Sequence, residues 1–275
     1  MHLAAAAAID GRAAFAGNRA VGRIALTVAH DGSRSARTRI YEDGPLRVRF
    51  PRSDALEAVL INTAGGVAGG DRLSLDIDVG ARAELTLTTA AAEKVYRALD
   101  EDASISINLT IQGGGKLRWL PQKTILFDNS CLKRDISIDV AGDGQLLFAE
   151  AIVFGRAAMG EHITQGRLID RWRVRHAGEL VFADTVRLDG AVADLLRHPA
   201  VAGGGVAVGT LLAMPADAHV LDRLRQLPLR GEVGISAWNG FMLARLVARD
   251  GEVLRRDLTA LLTGLGAPLP QLWLN

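Results

Sequence analysis

The sequence predicts a mainly β protein with a few α-helices toward its C-terminus, and three observations carry that expectation. Apolar and polar residues alternate in segment after segment, the period of a strand with one buried face. Glycine-containing turn signals separate these segments. Convincing helical periodicity is confined to the C-terminal part of the chain.

In chain order, "RIALTV" puts Ile24, Leu26 and Val28 on one face, and "RLSLDIDV" does the same with Leu73, Leu75, Ile77 and Val79. Ala83, Leu85 and Leu87 make the next series, followed by Ile105, Leu109 and Ile111, then Ile136, Ile138 and Val140. "DGS" at Asp31, "EDG" at Glu42, "GGG" at Gly113 and "GDG" at Gly142 mark turns, where glycine reaches positive φ that other residues resist. Pro199 to Ala216 is uncharged apart from its flanks and long enough to raise a membrane span, yet it holds Gly203, Gly204, Gly205, Gly209 and Pro215. It reads as a loop feeding a buried strand.

Two helices follow. Val220, Leu221, Leu224 and Leu227 predict one from Ala216 to Leu227, with Pro215 just before it. Val253, Leu254, Leu258, Leu261, Leu262 and Leu265 form the apolar stripe of a second, from about Glu252 to Leu265, closed by Gly266 and Pro268. With no repeat of fixed period and no linker, one domain over residues 1–275 is expected. Its residues 1–20 read as a frayed leader and 215–275 as the helix-containing part.

Composition narrows the function classes. Lys plus Arg number 32 against 31 Asp plus Glu, so no global positive field would hold a polyanion, and nucleic acid is a poor partner. The single Cys131 cannot make an internal disulfide, which points to a reducing cytoplasm. "MHLAAAAAID" lacks a basic start and meets Asp10 too early for a secretory signal. No membrane partner is expected.

The loop "NTAGGVAGGD" has four glycines in six positions. Phosphate loops lie at a strand-to-helix turn. Here "AGGVAG" misses G-x-G-x-x-G by one alanine, no G-K-[ST] follows, and the next segment alternates as a strand. The loop therefore reads as a strand-to-strand connection approached closely by another backbone.

His2, His30, His162, His176, His198 and His219 are scattered, without H-x₂₋₄-H or C-x-x-C spacing. Trp119, Trp172 and Trp238 read as core or interface aromatics. Arg171, Arg173 and Arg175 alternate on the solvent face of a strand, a usual way to blunt an edge.

"GGVAGGDRL" from Gly65, "LTTAAAEKVYR" from Leu87, "WLPQKTILFDNSCLKRDISIDV" from Trp119, "GR" at Gly155 and "GE" at Gly160 together resemble, in order and spacing, the urease accessory protein UreD family, called UreH in some systems. "NGFMLARLVARDGEVLRRDLTALL" from Asn239 resembles its C-terminal strand and helix. The resemblance implies a stacked-sheet, β-helix-like single body. It implies a urease maturation factor and not an enzyme: a scaffold that binds urease apoprotein and, with UreF and UreG, assists GTP-dependent nickel incorporation into the urease active site. UreE would be an indirect nickel donor. No cofactor is expected to bind tightly; nickel would be in transit, and GTP would be held by UreG.

A conduit for a hydrated divalent cation needs weak oxygen ligands that release what they bind. The candidates are Asp71, Thr88, Thr89, Glu150 and Glu161. Asp71 serves equally well as a turn cap. Glu150 follows the apolar "QLLFA", so it must reach water, a cation or a basic partner such as Arg156 or Arg173. Leu258, Leu261 and Leu262 are the candidate contacts with a partner protein. Two alternatives remain open: a β-solenoid carbohydrate-active enzyme using a carboxylate pair among Asp76, Asp78, Glu150 and Glu161, and a purely protein-binding β scaffold.

Overall fold

The architecture follows from alternation that persists strand after strand, so that one face of each strand must find an opposing sheet. The computed structural model describes residues 19–156 and 159–274. The leader expected over residues 1–20 lies almost wholly outside them.

The first sheet contains β1 (Val21–His30), β2 (Ser35–Asp43), β5 (Arg72–Val79), β8 (Ala103–Ile111), β11 (Cys131–Val140), β13 (Gly166–His176) and β14 (Glu179–Gly190), in the order β14-β13-β11-β8-β5-β1-β2. The second contains β3 (Leu46–Arg49), β4 (Glu57–Asn62), β6 (Glu84–Thr89), β9 (Lys116–Trp119), β12 (Gln145–Phe154), β15 (Ala207–Met214), β16 (Glu232–Trp238) and β17 (Phe241–Ala248). The short β7 (Glu93–Val95) and β10 (Thr124–Leu126) join its side through β12.

From β1 to β13 the chain passes back and forth between the sheets, and each return lays a strand parallel to the previous one: β1 on β5, β5 on β8, β8 on β11, β11 on β13. The opposing series β4-β6-β9-β12 is parallel as well. This is a β-solenoid of about four coils. At its ends the pairing turns antiparallel, in β1–β2, β13–β14 and the β12-β15-β17-β16 series.

Two apolar layers result. Ile24, Ile77, Leu85, Leu109, Ile138 and Phe148 belong to the core between the sheets. Leu211, Ala244 and Leu246 belong to a second cluster on the outer side of the second sheet, with Leu254, Leu258, Leu261 and Leu262. Three helices lie in the C-terminal third: α1 (Val192–Arg197), α2 (Ala218–Arg225) and α3 (Gly251–Gly264). α2 and α3 correspond to the two expected helices, α2 shorter at both ends and α3 shifted by one residue, and each starts at an Asp cap. Asp217 accepts from the His219 and Val220 N–H groups, and Asp250 from those of Glu252 and Val253. α1 was not expected; its six residues are too few for a periodic signal.

Arg171, Arg173 and Arg175 do face solvent, but β13 is not an edge, because β14 flanks it.

Candidate functional site

Three strands, β11, β12 and β13, each carry one charged residue on the apolar face that looks between the sheets. In β11 the inward series is Leu132, Arg134, Ile136, Ile138 and Val140; in β12 it is Leu146, Phe148, Glu150, Ile152 and Phe154; in β13 it is Leu168, Asp170, Trp172 and Val174. Because side chains alternate strictly along a strand, each charge is carried between the sheets with its apolar neighbours. Arg134, Glu150 and Asp170 are 4%, 5% and 3% exposed.

They meet. The Arg134 guanidinium donates from Nε to Asp170 Oδ1 at 2.9 Å, from Nη2 to Asp170 Oδ2 at 2.8 Å, and from Nη1 to Glu150 Oε2 at 2.8 Å. Two indoles complete the cluster: Trp119 Nε1 donates to Glu150 Oε1 at 2.8 Å and Trp172 Nε1 to Asp170 Oδ2 at 3.0 Å. Phe148 packs between them, stacked on Trp119 at 5.7 Å and edge-on to Trp172 at 4.7 Å. Burial works against the charged guanidinium, but the two carboxylates outweigh it and hold the Arg134 pKa above its ordinary value. Burial pushes the Glu150 carboxyl up, with Arg134 and the Trp119 indole only partly opposing it.

Two cavities of about 250 Å³ each reach this cluster. The first is walled by Ile24, Leu73, Ile105 and Trp119, with Asn62, Thr89, Glu93 and Gln122 among its polar groups. The second is walled by Asp170, Trp172, Val186, Thr210 and Arg245. Both include Arg134 and Glu150. Arg245 donates to Thr210 Oγ1 at 3.0 Å and pairs with Asp184. Glu93 accepts from Asn62 Nδ2 at 3.2 Å, and burial raises its carboxyl above the ordinary range. A wider recess of about 590 Å³, beside Arg37, Phe50 and Glu84, holds none of the candidate residues.

Of the expected oxygen ligands, Glu150 and Thr89 line the first cavity. Thr89 also accepts from the Gln122 N–H at 2.9 Å and donates to the Ala91 carbonyl at 3.0 Å. Asp71, Thr88 and Glu161 line neither cavity. Thr88 alternates with Leu85 and Leu87, which belong to the inter-sheet core, so it faces the other side of β6. Among the described residues its buried hydroxyl finds no hydrogen-bond partner. Asp71 closes the glycine loop, accepting from the Ala68 N–H at 2.7 Å and the Ala20 N–H at 2.8 Å. The close approach expected of that loop is seen at Gly66, where a Cβ would lie 2.4 Å from the Tyr96 ring and 2.7 Å from the Lys94 carbonyl.

Glu161 pairs with Arg156 and accepts from the Asp128 N–H at 2.9 Å. Burial opposes these contacts, but they hold its carboxyl below the ordinary range. Glu150 therefore pairs with Arg134 and with neither Arg156 nor Arg173. Leu258, Leu261 and Leu262 are at most 1% exposed and pack in the outer cluster. They serve the chain's own core, and a partner docking on this molecule would not reach them.

Of the carboxylates proposed for an acid and base pair, Asp76 and Glu150 lie on different faces. Asp76 alternates with the inward Leu73 and Ile77 and binds Arg23 and Asn108 on the outer face of the first sheet, whereas Glu150 lies between the sheets. Among the described residues, no group of three or more His, Cys, Asp or Glu is arranged to hold a metal ion, and no helix is long and apolar enough to cross a membrane.

The family described as "UreD urease accessory protein" matches residues 20–274. The chain is 53% identical over 266 residues to the urease accessory protein UreD of a Rhodopseudomonas palustris strain, covering 95% of each. It is 50% identical over 268 residues to that of Bradyrhizobium diazoefficiens, covering 95% of this chain and 96% of the relative. To "Urease accessory protein UreD 3" of another Bradyrhizobium it is 49% identical over 266 residues, covering 95% and 96%.

Proposed function

The chain belongs to the UreD family of urease accessory proteins, and we propose that it acts in urease maturation as a non-catalytic scaffold and nickel conduit. In this reading it binds urease apoprotein together with UreF and the GTPase UreG, in the cytoplasm, and nickel donated through UreE crosses it on the way to the urease active site. The observation that carries the conduit is the pair of cavities meeting at Glu150 between the sheets. Oxygen ligands such as Glu150 and Thr89 bind a hydrated divalent cation weakly enough to release it.

The test is urease activation in a reconstituted mixture at limiting nickel, with assembly followed by size exclusion. Glu150→Gln preserves shape and removes the charge; it should lower activation and leave the complexes intact. Full activation at limiting nickel would remove Glu150 from the path. One observation favours the second reading, a protein-binding scaffold that nickel never crosses: both Glu150 oxygens are already occupied, by Arg134 and Trp119. Under that reading Glu150→Gln changes stability and leaves activation at parental level.

A further inference from the structure

We propose that Arg134 is the gate of the inter-sheet lumen: its guanidinium closes the wall between the two cavities, and a cation passes when it releases Glu150 while staying anchored on Asp170. The inference rests on the conduit reading and adds the residue that regulates it.

The first ground is position. The cavities approach the cluster from opposite ends of the solenoid, one from the β1, β5 and β8 side through Ile24, Leu73 and Ile105, the other from the β14, β15 and β17 side through Val186, Thr210 and Arg245. Arg134 and Glu150 belong to both walls. The wall between the cavities therefore holds, beside the packed Trp119–Phe148–Trp172 rings, an ion pair that can exchange partners.

The second ground is the asymmetry of the grip. Arg134 and Asp170 are register partners on adjacent strands of the first sheet, joined by two parallel hydrogen bonds. Glu150 lies on the opposite sheet and receives one. A bidentate guanidinium–carboxylate contact is the stronger and better oriented of the two. Motion within the cluster breaks the single contact first, the one that bridges the sheets.

The third ground is charge. One guanidinium between two carboxylates leaves one negative charge in excess when all three are ionised. In a poorly solvated lumen such an excess attracts a cation and repels an anion. An arriving divalent cation competes with Arg134 for the same carboxylate, so the gate opens to the species it admits. Trp119, donating to the other oxygen, keeps Glu150 aimed at the wall during the exchange.

The experiment uses the full chain labelled with ¹⁵N at its four tryptophans. Trp119 and Trp172 report on Glu150 and Asp170, while Trp273 donates to the Leu120 carbonyl in the outer cluster and serves as the internal control. Added nickel(II), which is paramagnetic in oxygen-rich coordination, should broaden the Trp119 and Trp172 indole resonances and spare that of Trp273. Glu150→Gln should abolish the effect. Arg134→Gln should speed hydrogen exchange at the Trp119 indole by about tenfold or more and produce the broadening at roughly tenfold lower nickel, with Trp273 unchanged. If Arg134→Gln does not fold, Arg134→Lys, which keeps the charge and loses the fork, should shift both readouts the same way by less.

Parental behaviour of Trp119 in the folded Arg134 variants would overturn the gate, as would Trp273 broadening in parallel with Trp119. Full urease activation by Glu150→Gln would sink the conduit and the gate with it, and nickel-induced broadening at Trp119 in that case would mark only a cation site at the cluster. An insensitive Trp119 in a chain that still needs Glu150 for activation would sink the gate alone.

Discussion

At the scale of single residues, the buried cluster has a cost that its neighbours offset. Trp119→Phe keeps the ring stacked on Phe148 and removes the indole N–H from a carboxylate that is 5% exposed. Leaving a buried acceptor short of a donor should cost about 1–3 kcal/mol, read as a lower urea midpoint with an unchanged slope. Glu93 offers a pH test. Burial raises its pKa above 4.5, so the folded chain holds that proton more tightly than the unfolded one. Its contribution is therefore fully present below the ordinary value and is lost as the pH rises through the raised one. Glu93→Gln removes this loss, and chemical denaturation from acidic to neutral pH should show a flatter stability profile than the parent. An unchanged profile would mean that Glu93 is solvated in the folded chain.

Glu150 was legible because it interrupts an apolar run. Arg134 and Asp170 send the same signal, each standing in the inward phase of its strand, but the phase becomes evident only once the strand limits are known. Nothing in the sequence tells which of 32 basic residues faces Glu150, because β11 and β12 belong to different sheets.

At the scale of elements, α3 closes the outer side of the second sheet and is fixed at its start and along its length. Asp250 caps its first turn at 3.0 and 2.8 Å, and Lys123 ties Glu252 of that turn to the segment after β9 at 3.2 Å. On the buried face Asp257, 1% exposed, accepts from the Arg230 and Gly231 N–H groups that lead into β16. Asp250→Ala should lower stability by about 0.5–2 kcal/mol, whereas Leu261→Ala, which empties a fully buried site, should cost about 2–5 kcal/mol. Thermal and urea unfolding check both. Equal small losses would mean that α3 packs loosely. The apolar stripe of α3 was visible in its sequence spacing, but spacing does not say what covers the stripe. The sheet decides that, because the side of β15 and β17 away from the lumen is itself apolar.

At the scale of the whole molecule, the solenoid joins strands distant in sequence: β1 pairs with β5 and β4 with β6, and no parallel coil forms from a single hairpin. Loop closure must precede each of these pairings. Refolding from urea should therefore be slow, with time constants on the order of a second or longer, which stopped-flow fluorescence of the buried Trp119 and Trp172 would measure; millisecond refolding would argue against a parallel-coil core. The sequence by itself determined the strand periodicity, the late helices, the strand-to-strand nature of the glycine loop and, through several ordered motifs, the family. These features are local, set by neighbours a few residues apart. Only the tertiary structure decided that Arg134, Glu150 and Asp170 form one cluster, that Thr88 turns away from the lumen while Thr89 lines it, and that Leu258, Leu261 and Leu262 are core. Those outcomes depend on which strand lies opposite which, and that is fixed by the summed burial of all the coils, which no local pattern encodes.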